Sequence, residues 1–295
     1  MRALSNLIQQ LVNGVALGSI YALMALGYTM VYGIIGLINF AHGDIYMVGA
    51  FVGFSLVTTA GVGVFSALII SMIFTALLGV IIERIAYKPL RGSTRIAALI
   101  TAIGVSMLLQ NVMIALKGPE VRAFPADLPA LSLNFGSFSI NSQQLLILVV
   151  TIVLMIALQV IVQKTKLGQA MRAVSVDDQA AQLMGINANT IISFTFLIGS
   201  ALAGAAGVLV GIYYNSLSPL MGVNIGTKAF VAAVVGGIGS IPGAMCGGLI
   251  IGLVETFVAM IGLSTWKDAV VYAILIVILL VKPTGLLGKN QVEKV

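Results

Sequence analysis

The sequence predicts an all-α fold: a polytopic transmembrane helical bundle with about eight spans and one or two broken or re-entrant half-helices. Three observations predict this class. The 295 residues are 60% hydrophobic and only 8% charged, whereas a soluble domain carries about 25% charged residues to cover its surface. The apolar stretches reach about 20 residues, the length at which a helix crosses the hydrocarbon core. These stretches are continuous rather than alternating, which favours helices over a β-barrel.

The predicted spans share an uninterrupted apolar character. In chain order they are 7–26, 45–59, 64–82, 96–116, 145–162, 191–212, 229–261 and 269–281. Two short stretches broken by glycine, 27–39 and 231–243, are candidates for half-helices that enter the membrane without crossing it. Irregular backbone at membrane depth is tolerated only where it lines a cavity or is covered by protein. We therefore expect both breaks to face a cavity or other helices.

Glycine is abundant, and many of the 33 glycines are spaced by three or four residues. Gly199, Ala203 and Gly207 form one such ridge, and Gly243 and Gly247 belong to another. Small residues at this spacing let helix backbones approach closely. The pattern favours tight packing of the bundle over a special sliding or opening surface.

The distribution of basic residues predicts the orientation in the membrane. Loop 83–95, loop 163–189 and the tail after residue 281 are the basic segments, and we expect them on the cytoplasmic side. Their basic residues are Arg84, Lys88, Arg91, Arg95, Lys164, Lys166, Arg172, Lys282, Lys289 and Lys294. Loop 117–144 balances Lys117 and Arg122 against Glu120 and Asp127, so we expect it outside. The chain must then cross an odd number of times between residues 213 and 282.

Several classes of function are excluded by what the sequence lacks. The formal charge is +6, but no basic stretch is interleaved with aromatic residues as a nucleic-acid surface requires. One cysteine, Cys246, and one histidine predict neither an internal disulfide nor a Cys/His metal site. No GxxxxGK[ST] phosphate loop is present, so we expect no cofactor in this chain and no ATP binding by that motif. The N-terminal apolar stretch is too long for a cleaved signal peptide, and we expect it to be retained.

The segment GLINFAHGD, residues 36–44, places Asn39, His42 and Asp44 between apolar stretches. Ionisable groups at membrane depth are costly and usually line a pathway or have a partner. One hypothesis is that these residues form a polar break facing a central pore. The other is a loop at the membrane interface, with Asn39 or Asp44 capping the next helix.

A second break, GGIGSIPG at residues 236–243, contains Gly236, Gly237, Gly239 and Ser240 followed by a proline. Proline removes a backbone donor and the glycines permit unusual backbone angles, so a regular helix should end here. We favour a cavity-lining turn opposite residues 36–44 over a tight loop at a membrane face. Beyond it, Glu255 is expected to pair within the bundle or to lie near an interface. Three further charged residues are expected to be ordinary interface positions: Lys228, Lys267 and Asp268.

The cytoplasmic loop GQAMRAVSVDDQAAQLMGIN, residues 168–187, predicts a short amphipathic helix. Ser175 and Asp178 fit a capping box, and Gly185 suits the left-handed residue just past a helix end. One face would carry Val176, Ala180, Leu183 and Met184. Such a small apolar face anchors poorly in lipid but suits a groove in another protein. The alternative is an interfacial loop helix without a partner.

These motifs together resemble a known family. Residues 168–187 resemble the cytoplasmic coupling motif of ABC importer permeases, which has an acid, small alanines and a following glycine. The segments GLINFAHGDIYMVGAF (36–51) and AFVAAVVGGIGSIPGAMCGGLIIGLVE (229–255) resemble the branched-chain amino-acid permeases, in particular the LivH-type subunit. The resemblance covers nearly the whole chain and the order of its segments.

The resemblance implies one transmembrane permease domain, 1–295, with a cytoplasmic coupling loop at 164–189. It implies a non-enzymatic subunit that translocates leucine, isoleucine and valine across the bacterial inner membrane. The expected partners are a second homologous permease, two ATPase subunits that use the ATP, and a periplasmic substrate-binding protein. It assigns ATPase coupling to Arg172, Ser175, Asp177, Asp178, Ala180, Ala181 and Gly185. A translocation pathway would involve Asn39, His42, Asp44, Gly236, Gly237, Gly239 and Ser240.

Three alternatives remain open at the level of sequence. An ABC permease for urea, short amides or another small solute would share these features. A secondary transporter driven by an ion gradient also uses broken helices with intramembrane charge. An intramembrane enzyme using His42 and Asp44 would need a nucleophile or metal cluster at matched depth, and none is evident in the sequence.

Overall fold

The computed structural model describes residues 2–125, 128, 132–134 and 138–288. Asp127 of the outer loop and Lys289 and Lys294 of the tail lie outside these residues. Within them, eight helical segments are long and apolar enough to cross a membrane, and a ninth apolar helix, Met221–Gly236, is shorter. The α-helices are α1 Arg2–Ile35, α2 His42–Ala60, α3 Val64–Ile82, α4 Arg95–Lys117, α5 Ser142–Lys164, α6 Lys166–Val176, α7 Asp178–Leu183, α8 Ala188–Tyr214, α9 Met221–Gly236, α10 Ile241–Met260 and α11 Lys267–Val281. The expectation of about eight spans with at least one short helix is confirmed.

Helix α1 is the central element of the bundle. In the most apolar 18-residue stretch of α1, 94% of the residues are buried. The corresponding share is 11% for α4 and 6% for the segment that contains α11. The outer helices therefore present their apolar side chains to the surroundings of this chain, as expected where lipid or another membrane subunit covers them.

The first predicted half-helix, 27–39, is wrong, because α1 continues without interruption to Ile35. Gly27 serves close packing rather than a break: an added Cβ would overlap the ring of His42, which lies directly against it. The helix ends instead at Gly36, which has a φ of 69°. That left-handed conformation costs glycine nothing and most other residues a good deal.

The predicted span 229–261 is also wrong, because it divides into two helices. Helix α9 ends at Gly236, and Gly237 and Gly239 adopt positive φ values of 109° and 92°. Helix α10 then starts with Ser240 as its N-cap, whose Oγ accepts from the Gly243 N–H at 3.2 Å. The break was predicted at the correct place, but the short helix precedes it at 221–236 rather than spanning 231–243. Helix α9 is shorter than the two segments that follow it, so the odd number of crossings stays a prediction that requires α9 to cross as well.

The two ends of the bundle agree with the predicted orientation. Arg91 donates to Asn189 Oδ1 at 2.5 Å, which brings the basic loop after α3 beside the start of α8. The tail lies at the same end, since the Leu286 N–H donates to Val235 O at 2.9 Å. At the opposite end Gln144 donates to Asn13 Oδ1 at 2.7 Å. A short antiparallel hairpin there, β1 Ser132–Asn134 and β2 Ser139–Asn141, belongs to the predicted outer loop.

Candidate functional site

The predicted coupling segment is two helices rather than one. Helix α6 runs through Ser175 to Val176, and Asp177 is extended at φ −158° and ψ 109° before α7 begins. The predicted cap at Ser175 is therefore wrong: its Oγ donates to Arg172 O at 2.8 Å inside the last turn of α6. The N-cap of α7 is Asp177, whose Oδ1 accepts from the Ala180 N–H at 3.0 Å. An N-cap residue needs non-helical backbone angles, and Ser175 cannot cap α7 because it lies inside α6.

Helix α7 exposes most of its surface at the end of the bundle that was predicted to be cytoplasmic. Ala181 packs inward, whereas Asp178 and Ala180 are exposed and Leu183 is 89% exposed. Gly185 has a φ of 84°, as predicted for the residue after the helix end. The predicted apolar face is thus the face turned away from the bundle. We call the exposed surface formed by Val176, Asp178, Ala180, Leu183 and Met184 the α7 surface.

A polar contact ties this segment to the spanning helices. The Arg172 guanidinium donates to the Val162 carbonyl in the last turn of α5, so Arg172 braces α6 against α5. A displacement of α6 would therefore be passed to α5. A separate contact lies at the start of α8, where Ser193 donates to Glu83 Oε2 at 2.7 Å, and the other oxygen of this buried carboxylate pairs with Arg91.

A cleft connects the coupling segment with the first break. It has a volume of about 580 Å³ and lies between residues 32–37 at the end of α1, residues 90–94 of the basic loop, and residues 174–178. The second break is close by, because a Cβ on Gly33 would lie 3.4 Å from Gly239 Cα. Gly33 lies in α1, three residues before the first break begins at Gly36, so the second break lies beside the end of α1. That the two breaks face each other stays a prediction.

The three polar residues of the first break are buried, not exposed to an open cavity. Asn39 Oδ1 accepts from Tyr87 Oη at 2.7 Å and from the Ala41 N–H at 3.1 Å, so it fixes the loop. The His42 ring meets Tyr28 edge to face, with centroids 4.7 Å apart. In this conformation these residues brace the break, and a role in the pathway requires that the break move.

Asp44 has partners that the sequence reading missed. Its carboxylate accepts from Ser106 Oγ at 2.5 Å and from Gln110 Nε2 at 3.0 Å. Both donors lie on α4, one turn apart, on the side of the helix that faces α2. A signal was present, because Ser106 and Gln110 are polar residues four apart in an otherwise apolar span.

Four charged residues near α9 form a network, although three of them, Lys228, Lys267 and Asp268, were expected to be ordinary interface positions. Lys228 Nζ lies 2.9 Å from Glu255 Oε1 and 2.6 Å from Asp268 Oδ1. Lys267 Nζ lies 3.0 Å from the same Glu255 oxygen, and Tyr21 donates to Glu255 Oε2 at 2.7 Å. Glu255 pairs within the bundle, as one of the two expectations held. The pairing of Lys228, Lys267 and Asp268 could have been expected from the sequence, because ionisable residues inside or beside apolar segments usually have a charged partner.

The part of the chain that the structure describes contains no cluster of side chains that could bind a metal ion. No group of three or more histidine, cysteine, aspartate or glutamate side chains lies close enough there to hold a metal ion. The arrangement instead offers the exposed α7 surface at one end, two glycine breaks, and a charged network inside the bundle.

Comparison with known proteins agrees with this arrangement. A family described as branched-chain amino acid transport system, permease component, matches residues 10–279. The permease protein BraD of the high-affinity branched-chain amino acid transport system of Pseudomonas aeruginosa is 46% identical over 308 residues, covering 100% of both chains. The corresponding LivH protein of Escherichia coli is 46% identical over 301 residues, covering 98% of this chain and 97% of that protein.

A solved structure shows the same fold. PsaBC from Streptococcus pneumoniae, determined in complex with a Fab, aligns with a TM-score of 0.51 at 12% identity, covering 92% of this chain and 91% of that chain. At this identity the likeness concerns the fold alone. The family match covers most of the chain, and the two relatives match it from end to end. The chain therefore belongs to the branched-chain amino acid permease family, and it is a permease component of such a transport system.

Proposed function

We propose that this permease carries leucine, isoleucine and valine inward across the bacterial inner membrane, driven by ATP that separate partner subunits hydrolyse. The observation that carries the proposal is the exposed α7 surface, which the two helices α6 and α7 hold at the end of the bundle that bears most of its basic residues. The chain has no phosphate loop of its own. The energy for transport must then enter through a surface of this kind.

The proposed docking partner of the α7 surface is one of two ATPase subunits. Val176, Leu183 and Met184 are large exposed apolar side chains on a segment where water, not lipid, is the expected surrounding. A short helix with an apolar face is recognised by laying that face in a groove of the partner. Asp178 in its first turn adds a charge that a basic residue of the partner can pair with.

The proposed transport cycle is alternating access. Motion of the docked α7 would pass through Arg172 to α5 and would change the width of the 580 Å³ cleft between the coupling segment and the break at Gly36. That break leads into the buried Asn39 and His42, and Gly33, three residues before it, lies against Gly239 of the second break. Glycines with positive φ at both breaks allow the backbone to change direction there without strain in the flanking helices.

A second homologous permease is proposed to cover the face formed by α11 and the preceding turn. Ile261, Leu263 and Trp266 are exposed in this irregular segment. This segment lies between Glu255 and Lys267, which both belong to the charged network. Tyr21, which donates a hydrogen bond to Glu255, lies near the middle of α1. Irregular backbone at such depth needs protein or a water-filled path beside it. A periplasmic binding protein would deliver the amino acid at the opposite end from α7.

The test is a change of charge on the α7 surface in the assembled importer. Leu183→Asp should abolish co-purification of the ATPase subunits and uptake of labelled leucine, because a carboxylate would be buried in an apolar groove. Val121→Asp is the matched control, since Val121 is an exposed apolar residue at the other end of the bundle. Asp178→Arg should weaken docking less than Leu183→Asp. Unchanged docking and uptake in both α7 variants would refute the assignment of this surface.

A further inference from the structure

The charged network joins the buried side chains of Lys228 and Glu255 to Lys267 and Asp268, which lie in the first turn of α11. Tyr21, which donates to Glu255, is near the midpoint of the apolar span Asn6–Ile35. At 1.5 Å per residue it is about 20 Å from either end of that span. Lys228 is likewise central in α9, Met221–Gly236. Charged side chains at this depth are rare and usually mark the route of a substrate.

The network contains two cations and two anions, so its formal charge is zero. Lys228 and Glu255 are buried, but the Asp268 side chain is 50% exposed and the Lys267 side chain 35%. The network is therefore closed on one side and open on the other.

The open side faces a cavity of about 380 Å³. Lys228, Lys267 and Asp268 line one part of it, and Tyr214 and Asn224 add polar groups beside them. The hydroxyl-bearing residues Tyr21, Ser216 and Ser218 also line the cavity, and its apolar side chains are Val210, Leu220, Met221 and Ile225. Small-molecule sites usually measure about 300–1,000 Å³ and combine apolar walls with a few placed polar groups. This cavity has both features.

We infer that this cavity is a binding site for a free α-amino acid with an apolar side chain. The α-carboxylate accepts hydrogen bonds from the ammonium groups of Lys267 and Lys228. The α-ammonium donates to the carboxylate of Asp268. The apolar side chain packs against Met221 and Ile225. The inference rests on the proposed function, and it names the site at which the permease itself holds its cargo.

The zero charge of the network explains why such a site suits a zwitterion. A zwitterion brings one positive and one negative group, so each charge of the network keeps an opposite partner when the ligand enters. An ion of single charge would leave one network member without a partner at membrane depth, which is costly. The site therefore selects for both α groups, and its walls select for an apolar side chain.

The experiment uses the complete importer in lipid nanodiscs without its binding protein, so that the permease alone contacts the ligand. The probe is a diazirine analogue of leucine that keeps both α groups, and labelled peptides are mapped by mass spectrometry. The expected result is labelling within residues 210–228, suppressed by excess leucine. Leucinamide and 4-methylpentanoate, which each lack one α charge, should compete at least about tenfold more weakly, as expected for the loss of one charge-assisted hydrogen bond.

Two variants separate cargo binding from structure. Lys228→Met leaves Glu255 and Asp268 with one cation between them, and it should lose both labelling and assembly. The double variant Lys228→Met with Glu255→Gln removes one charge of each sign, so the remaining Lys267 and Asp268 stay balanced and the complex should assemble. If the network only stabilises the fold, the double variant will regain leucine uptake. If it holds cargo, uptake and labelling stay at least about tenfold below those of the unmodified protein although the complex is intact.

Each remaining outcome has a definite meaning. Labelling confined to other residues, or equal competition by leucinamide and leucine, would overturn the site while the importer still takes up leucine through its binding protein. Failure of the unmodified complex to take up leucine at all would instead overturn the proposed function.

Discussion

Replacing Gly18 by alanine should force α1 and α10 apart and lower the thermal stability of the permease. A Cβ at residue 18 would lie 2.8 Å from Leu249 Cα and 3.0 Å from the carbonyl oxygens of Gly248 and Leu249. Carbon atoms in good contact are about 3.5–4.0 Å apart, so the helices must separate by about 1 Å. The opposing atoms belong to backbone and cannot rotate away. Overpacking of this kind costs about 1–3 kcal/mol.

The assay is the melting temperature of the purified complex, followed as the fraction that remains monodisperse after heating. A loss of about 1–3 kcal/mol corresponds to a decrease of about 2–10 °C for a chain of this size class. Gly104→Ala is the matched control, because Gly104 lies in α4 and no atom approaches its Cβ position within 4 Å. Alanine there should be neutral or slightly stabilising, since it favours the helix. Equal melting temperatures for the two variants would refute the close-packing argument.

Three further predictions concern the coupling segment and the first break. Asp177→Ala removes the N-cap of α7 and should lower the stability of this helix by about 1 kcal/mol. Hydrogen exchange in α7 should become faster, and leucine uptake should be reduced but not abolished. Unchanged exchange would contradict the role of Asp177 as the cap. Gly185→Ala should lower ATPase co-purification, because its φ of 84° strains alanine, whereas Gly185→Asn should retain most of it, since asparagine tolerates this conformation. Gln110→Leu leaves Ser106 as the donor to Asp44 on α4. It should lower the melting temperature by several degrees, because a hydrogen bond to a charged group contributes about 1.5–3 kcal/mol, and Gln110→Glu should lower it further because two carboxylates repel.

The sequence predicted the long spans well because each is a local property. A stretch of about 20 apolar residues with few charges has no alternative to a membrane helix, and spans such as 64–82 and 145–162 agree closely with α3 and α5. The glycine breaks were harder. Gly27 and Gly36 look alike in sequence, yet one packs against His42 and the other ends the helix. Which role a glycine has depends on what lies opposite it in space.

The candidate sites divide in the same way. The coupling segment was located from sequence because its acids, alanines and Gly185 are close together in the chain. The cap was misplaced by two residues because Ser175 and Asp177 both suit the position, and only the backbone distinguishes them. The role assigned to Arg172 was incomplete, since its contact with Val162 depends on the turn between α5 and α6.

By itself the amino-acid sequence determined that this protein crosses the membrane as helices and which family it resembles, and it predicted which end is cytoplasmic. These follow from hydropathy, the placement of lysine and arginine, and local motifs, all of which act over short stretches of chain. Only the tertiary structure decided that Tyr21, Lys228, Glu255 and Asp268 meet, although Tyr21 and Glu255 are 234 residues apart. The physical reason is that a buried charge selects its partners by proximity after the helices pack, and packing of α1 against α10 and α9 is a property of the whole bundle.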